Sequence, residues 1–162
     1  ALTLTIARPV ALAKFVSVHP RYNLLHRQPE RELLPLCAEE NIAVIPYNPL
    51  AGGMLTGKHD PARPPADGTR FTLGRAAKLY TERYWKEREF ATVTAFTAAA
   101  REAGVDPATL AVAWVMANPA ITSPIIGASR PEQLKASRNA TTLPISAGAP
   151  MRRSGIIMRR FS

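Results

Sequence analysis

The sequence contains one cysteine and no long apolar run, and each shortage excludes a class of protein. Cys37 cannot form a disulfide within the chain or supply several thiolates to a metal, which agrees with a reducing compartment. No apolar run approaches the ~18 residues that a membrane span needs. Arg8 and Pro9 interrupt the N-terminal segment where a secretory signal would stay apolar. We therefore expect a cytoplasmic protein that does not contact membranes.

Acidic residues are absent from the C-terminal end of the chain. The net charge is +9, and no Asp or Glu follows Glu132, whereas six of the 21 basic residues do. The rest of the chain carries 15 basic and 12 acidic residues, so the positive excess belongs largely to this end. Aromatic residues are too sparse among these basic residues to favour a nucleic-acid partner.

The remaining composition is that of a globular protein. The 162 residues are 46% hydrophobic and 20% charged, which excludes wholesale disorder and fibrous classes. This length suits one domain. The 15 prolines exceed the usual share of ~5% and predict many abrupt turns.

Short apolar runs alternate with amphipathic segments along the chain. Runs at 15–18, 42–45 and 123–126 predict buried strands, and their alternation with helices predicts an α/β fold with a parallel sheet. Residues 51–81 are rich in Gly, Pro and basic side chains and predict a long connection that is functional or mobile. Apolar spacing and capping residues predict helices over 30–40, 85–103 and 107–117 and from residue 131 onward.

These patterns divide the chain into three parts. Residues 1–14 show no regular periodicity and predict an irregular N-terminal entrance. Residues 15–138 form the domain. Residues 139–162 are basic and without periodicity, and we expect a low-order tail there.

Two familiar kinds of site are disfavoured. Gly52, Gly57 and Lys58 fit the phosphate loop of nucleotide hydrolases, but His59 follows where a hydroxyl must hold magnesium. The cysteine and the histidines match no zinc spacing, and Cys37 lies on the apolar stripe of a predicted helix, so we predict no metal site.

Two other segments have features of a ligand site. Tyr47 follows the second strand, where its ring can stack on a heterocycle, or else cover the end of the sheet. Glycines that would let a ligand approach the backbone follow it. Gly127 and Ser129 lie between the third strand and a helix, where backbone N–H groups and Arg130 can bind an anion. The alternative for Ser129 is a plain helix cap.

Three motifs occur together: HPRYNLL, PYNPLAGGMLTGK and GASRPEQL. In this order they resemble the C-terminal half of the aldo-keto reductase family, over residues 15–137. The resemblance implies a (β/α)8 TIM barrel, of which the chain would form about the last three β/α units. It also implies hydride transfer between NADP(H) and an aldehyde or ketone. The general site of this fold, at the C-terminal ends of its strands, agrees with the segments singled out above.

The resemblance assigns cofactor contacts residue by residue. Tyr47 matches the ring that stacks on nicotinamide, and His19 stands where the family commonly places a glutamine against the carboxamide. Ala136 and Ser137 replace an acidic–Asn pair that the family has after Gln133. The residues that match the phosphate and adenosine contacts are Asn48, Leu50, Lys58, Arg70, Gly127, Ser129, Arg130 and Gln133.

The family's catalytic Asp, Tyr, Lys and His come from the first half of the barrel, so no catalytic residue is assigned here. We expect a truncated chain that retains cofactor-binding residues but is inactive alone, unless a partner chain completes the barrel. The alternatives are a non-catalytic interaction module, or an inactive gene fragment that pairs through exposed strand edges.

Overall fold

A small parallel sheet lies at the centre of the computed structural model, which describes residues 15–143. Strand β1 (Ser17–Val18) pairs in parallel with β2 (Ala43–Val44), with Ser17 opposite Ala43 and Val18 opposite Val44. Residues 122–125 lie on the other side of β2, where Ile125 forms a parallel bridge with Tyr47. The order across the sheet is therefore β1, β2 and then residues 122–125.

Helices cover one side of this sheet and fill the connections. Three short 3-10 helices span Gln28–Glu30, Ala51–Thr56 and Pro131–Gln133. The α-helices are α1 (Leu33–Glu40), α2 (Ala77–Tyr84), α3 (Glu87–Glu102), α4 (Pro107–Met116) and α5 (Leu134–Ala140).

Local sequence signals set several helix ends. Asn41 adopts the left-handed conformation (φ 53°) that ends α1. The Asp106 carboxylate accepts a hydrogen bond of 2.9 Å from the Thr109 backbone N–H, and Pro107 occupies the first position of α4. The predicted cap and helix at this point are confirmed.

The hydrophobic core lies between the sheet and the helices. The β2 residue Val44 is completely buried in this core. Cys37 is buried among apolar side chains, as predicted for a core cysteine. The largest fully buried hydrophobic side chains are Tyr22, Tyr84, Phe96, Met54, Leu55, Leu110, Val44, Val112 and Val115.

The predicted third strand is wrong in its extent. Residues 123–126 contribute a single bridge rather than a strand. Pro46 has no N–H, and the Val44 N–H bonds to the Thr122 hydroxyl (3.1 Å), so β2 gives these positions no backbone donor. The Thr122 and Ile125 N–H groups still donate to the carbonyls of Val44 and Pro46, at 2.9 and 2.7 Å.

The long connection predicted over 51–81 contains regular structure, and its prediction as functional or mobile stays a prediction. It contains the 3-10 helix at Ala51–Thr56, the first part of α2, and Phe71, which is buried. The helix expected from residue 85 begins at Glu87.

Residues 139 and 140 were predicted as the start of the low-order tail, but they are helical. Residues 139 and 140 complete α5, and Ala140 is buried against α4. The predictions for residues 1–14 and 144–162 lie outside the described residues. Between residues 15 and 143, no helix is both long and apolar enough to cross a bilayer.

Candidate functional site

Three side chains form a row across one face of the sheet, at the point where its strands end. Arg21 forms a parallel bridge with Tyr47, and Tyr47 forms another with Ile125. Bridged residues in neighbouring parallel strands project from the same face. Tyr47 and Ile125 are 37% and 43% exposed, so this face is open above them. His19, two residues before Arg21, belongs to the same face and is also exposed.

The backbone after Tyr47 is held in an unusual shape by side-chain amides. Asn48 has a left-handed conformation (φ 64°), and its Oδ1 accepts a hydrogen bond of 2.7 Å from the Gly52 N–H. The Asn48 and Asn23 amides both donate to the Tyr84 hydroxyl, at 3.0 and 3.1 Å. Asn23 also donates to the Asn48 carbonyl at 2.9 Å. These bonds fix the segment between β2 and the following 3-10 helix.

Two exposed cations lie beside glycines near this segment. A methyl group built on Gly53 would lie 3.5 Å from the Lys58 ammonium, so the lysine folds back over that glycine. A methyl group on Gly127 would lie 3.9 Å from a terminal nitrogen of Arg70. The Arg70 side chain therefore extends from the connection over 51–81 to the end of the sheet segment at residues 122–125.

A cluster of aromatic rings holds the two cations in place. His59, next to Lys58, meets the ring of Phe71 edge to face at a centroid distance of 4.9 Å. Phe71 is itself next to Arg70. Trp85 contacts both rings, at 5.3 Å from His59 and 5.1 Å from Phe71. The ring contacts therefore fix the backbone of the connection next to Lys58 and next to Arg70. We call the rings of His59, Phe71 and Trp85 the aromatic cluster.

The turn after residue 127 is closed by a side chain. The Gln133 carbonyl oxygen accepts hydrogen bonds from the Ser129 N–H (2.9 Å) and hydroxyl (3.2 Å). Arg130 is exposed and starts the 3-10 helix at Pro131–Gln133 without a side-chain cap. Ser129 is therefore not the helix cap, which was the alternative interpretation.

Burial and local charge shift the ionisation of groups around the row. Burial raises the pKa of the Tyr84 hydroxyl, although the Asn23 hydrogen bond and the charges of Arg21 and Arg83 oppose the shift. Burial and then the same two guanidinium groups lower the pKa of His26. Both groups therefore favour the neutral form near neutral pH.

The structure brings the predicted site residues to the end of the sheet in separate groups. Tyr47 and Asn48 are adjacent, Arg70 lies beside Gly127, and Ser129 bonds to Gln133. Leu50 is half-buried against the core, and its carbonyl accepts a hydrogen bond of 2.9 Å from the Gly53 N–H. In residues 15–143, no three His, Cys, Asp or Glu side chains are grouped in a way that could hold a metal ion.

Several residues that shape this region were not found by sequence reasoning. Sequence motifs give Arg21 no role, although its spacing of two from His19 places both residues on one face of the sheet. Asn23 and Tyr84 meet across 61 residues, and nothing local to either indicates the contact. His59 was considered only as a ligand, whereas its ring packs against aromatic side chains.

Comparison with known sequences gives a family match. The model of the aldo/keto reductase family matches residues 6–149, which extends beyond the residues over which the motifs show a resemblance. An uncharacterised oxidoreductase of Bacillus subtilis is 38% identical over 120 residues, covering 74% of this chain and 33% of that protein. A probable voltage-gated potassium channel subunit beta of Arabidopsis thaliana is 36% identical over 122 residues, covering 75% and 37%.

Comparison with solved structures gives the same fold. The glycerol dehydrogenase of Gluconobacter oxydans superposes with a TM-score of 0.65 at 21% identity, over 81% of this chain and 38% of that one. The chain spans about a third of the length of the curated relatives it matches. The family match covers most of the chain, and the chain belongs to the aldo/keto reductase family.

Proposed function

We propose that this chain is the cofactor-binding part of an NADP(H)-dependent oxidoreductase of aldehydes and ketones. In this proposal the described residues form the last three β/α units of a (β/α)8 barrel. One observation supports it most directly: the half-exposed ring of Tyr47 lies on the open face where the strands end, with separate cations beside glycines nearby. Sites of this barrel fold lie at the same end of the strands.

The side chains present fit a dinucleotide. Tyr47 offers a flat ring on which nicotinamide can stack. Gly53 and Gly127 have no side chain where Lys58 and Arg70 lie, so a phosphate can approach each cation without a steric clash at the glycine. Bound nicotinamide would supply or accept the hydride of the reaction.

The second phosphate position is assigned to the turn that follows residues 122–125 of the sheet. Arg130 is exposed there, and Gln133 holds the turn through Ser129. A guanidinium group can bind a phosphate through two parallel hydrogen bonds. We assign this turn to the adenosine 2′-phosphate, which favours NADP over NAD.

We assign no proton donor to residues 15–143. Tyr22 and Tyr84 are buried and hydrogen-bonded, and burial raises the pKa of both hydroxyls. Tyr47 is assigned to stacking instead. In this proposal His19 is available to contact the nicotinamide carboxamide from the same face.

The test is a titration of the purified chain with NADPH, followed by the fluorescence of the bound cofactor. Replacing Lys58 or Arg130 with Ala should each weaken binding about tenfold, because each removes one charge-assisted contact with phosphate. Arg88→Ala removes one positive charge from an exposed position on α3 and is the matched control. The Arg130 variant should also lose the preference for NADPH over NADH. If the two phosphate-site variants bind like the control, the assignment is wrong.

A second candidate is a non-catalytic interaction module. The edge of β1 exposes Phe15 (53%) and Val16 (75%), and one relative is named as a channel subunit. An interaction module would form a stable stoichiometric complex with a partner and show no affinity for nicotinamide cofactors. The same NADPH titration therefore separates the two candidates.

A further inference from the structure

Arg21 lies at one end of the row that contains Tyr47, and none of the assignments above uses it. Its backbone is hydrogen-bonded in register with Tyr47, through the Tyr47 N–H to the Pro20 carbonyl (3.0 Å) and the Tyr22 N–H to the Tyr47 carbonyl (3.4 Å). Neighbouring strands are about 4.8 Å apart. The arginine is therefore the immediate neighbour of the proposed stacking ring.

The guanidinium group is held by uncharged side chains. One terminal nitrogen donates a hydrogen bond of 2.9 Å to Nδ1 of His26. The group also lies 5.7 Å from the centre of the Tyr84 ring, at the distance of a cation–π contact. Both contacts orient the charge without neutralising it.

No carboxylate within residues 15–143 forms an ion pair with Arg21. The ion pairs seen between two described residues join Arg27 to Glu30, Arg63 to Asp60 and Lys78 to Glu82, and none of them involves Arg21. Arg83 is half-buried and directly precedes Tyr84 at the end of α2, and its charge, like that of Arg21, lowers the pKa of His26. Arg21 is half-buried, and a cation in that position interacts more strongly with an anion than one fully in water.

The direction of the row separates Arg21 from the phosphate contact proposed at the turn that holds Ser129 and Arg130. Ile125 and Gly127 lie on the other side of Tyr47, toward the turn that holds Ser129 and Arg130. A cofactor that runs from Tyr47 to that turn leaves Arg21 on the opposite side of its nicotinamide. We place the substrate on that side of the nicotinamide.

We propose that Arg21, with Arg83 nearby, forms a subsite for the carboxylate or phosphate group of a small anionic carbonyl substrate. The inference rests on the proposed function, because Tyr47 is the reference point for the nicotinamide. Of the five N–H groups of the Arg21 guanidinium, the histidine uses one, and no acceptor within residues 15–143 bonds to the others, so they can make a forked contact with an oxyanion. His26 and Tyr84 position the fork.

The experiment is isothermal titration calorimetry on the full chain, once saturated with NADP⁺ and once without cofactor. Two pairs of probes differ mainly in charge: 5-oxopentanoate with pentanal, and glyceraldehyde 3-phosphate with glyceraldehyde. We expect the anionic member of at least one pair to bind about tenfold more tightly than its neutral partner. The pair with the larger ratio identifies carboxylate or phosphate as the recognised group.

Variants of three arginines distinguish the effect of charge on probe binding from the effect of guanidinium geometry and from a loss of folding. Arg21→Met should reduce the ratio below about threefold, and Arg21→Lys should keep an intermediate ratio because it keeps a charge without the fork. Arg83→Gln should lower the ratio less than Arg21→Met does. Arg88→Ala should leave it unchanged, and NADP⁺ affinity should stay within about twofold in all four variants.

Equal binding of anionic and neutral probes, or a ratio that survives Arg21→Met, would overturn the inference. The two proposals fail separately. A chain that binds NADP⁺ without preferring anionic probes overturns the subsite alone. A chain that prefers anionic probes and binds no NADP⁺ overturns the cofactor assignment alone.

Discussion

The side-chain amide of Asn48 donates a hydrogen bond of 3.0 Å to the hydroxyl of Tyr84, 36 residues further along the chain. Asn48 follows the proposed nicotinamide platform, and Tyr84 is the last residue of α2. The bond therefore links the segment that would contact pyrophosphate to a buried helix end. The Asn23 amide donates to the same hydroxyl, so a single oxygen organises two segments.

Tyr84→Phe should destabilise the protein by about 1–3 kcal/mol, because the buried Asn23 amide and the half-buried Asn48 amide both lose an acceptor. It should also weaken NADPH binding several-fold, since Asn48 loses a contact that fixes its conformation. Urea unfolding measures the first effect and fluorescence titration the second. Tyr80→Phe is the matched control, because no hydrogen bond of the Tyr80 hydroxyl is found in the described residues. Equal stability of the two variants would contradict the role of Tyr84.

Gly57→Ala should cost more stability than Gly104→Ala. Both glycines have a positive φ, 72° and 67°, so the backbone strain of the two substitutions is similar. A methyl group on Gly57 would lie 2.7 Å from the Thr97 methyl group, whereas one on Gly104 meets nothing within 4 Å. We expect an excess cost of about 1–3 kcal/mol from this contact. Urea unfolding of both variants measures the difference, and equal costs would contradict the close packing at Gly57.

Stability should fall as the pH drops below the ordinary His pKa of about 6.5, in part because of His59. Burial, and then the Lys58 charge, lower the pKa of His59, and its Nε2 is buried without a hydrogen-bond partner in the described part of the chain. The unfolded chain then binds the proton more readily than the folded one. The stabilisation is complete above the unfolded pKa and is lost as the pH falls toward the folded one.

His59→Phe should reduce this loss while keeping the edge contacts with Phe71 and Trp85. The pKa of His26 is also lowered, so part of the pH dependence should remain in the variant. His19→Ala changes an exposed histidine and is the control. Unfolding midpoints between pH 5 and 8 measure the effect. An unchanged slope in His59→Phe would show that the pKa of His59 is the same in the folded and the unfolded chain, which would contradict the lowered pKa.

A second loss of stability should appear in more acidic solution, from Glu30. Burial would raise the pKa of this carboxyl, but hydrogen bonds from Arg27 and Tyr22, at 2.9–3.0 and 2.7 Å, outweigh it and hold the pKa below its usual value. This stabilisation is present above the unfolded pKa of about 4.5 and disappears as the pH falls through the folded one. Glu30→Gln should flatten the profile there, and Glu87→Gln, at an exposed position, should not.

Sequence patterns predicted much of the fold because the signals for its elements are local. The apolar runs gave the parallel pairing of β1 with β2, and the Asp106–Pro107 pair located the start of α4. Helix α2 was missed since its sequence is polar and follows a region rich in Pro and Gly. Its formation depends on burying Tyr84 and half-burying Tyr80 in the core, which no local pattern reveals.

The candidate site was predictable only as a set of motifs. Each motif supplied its own residues, but the contact of Arg70 with Gly127 depends on a connection whose course is set by ring packing at Phe71. The role proposed for Arg21 depends on strand register. Register is set by how neighbouring strands pair in the sheet. The sequence of one strand therefore does not predict it.

The packing of the His59, Phe71 and Trp85 rings has an energetic consequence for ligand binding. Because the rings of His59 and Phe71 are packed with Trp85, the adjoining charges of Lys58 and Arg70 emerge from points that folding has already fixed. Less chain entropy is then left to lose when a phosphate arrives, and this preorganisation adds to affinity without any additional contact. Substitutions that loosen these rings would raise the entropic cost of association, so core packing and ligand affinity in this protein would change together.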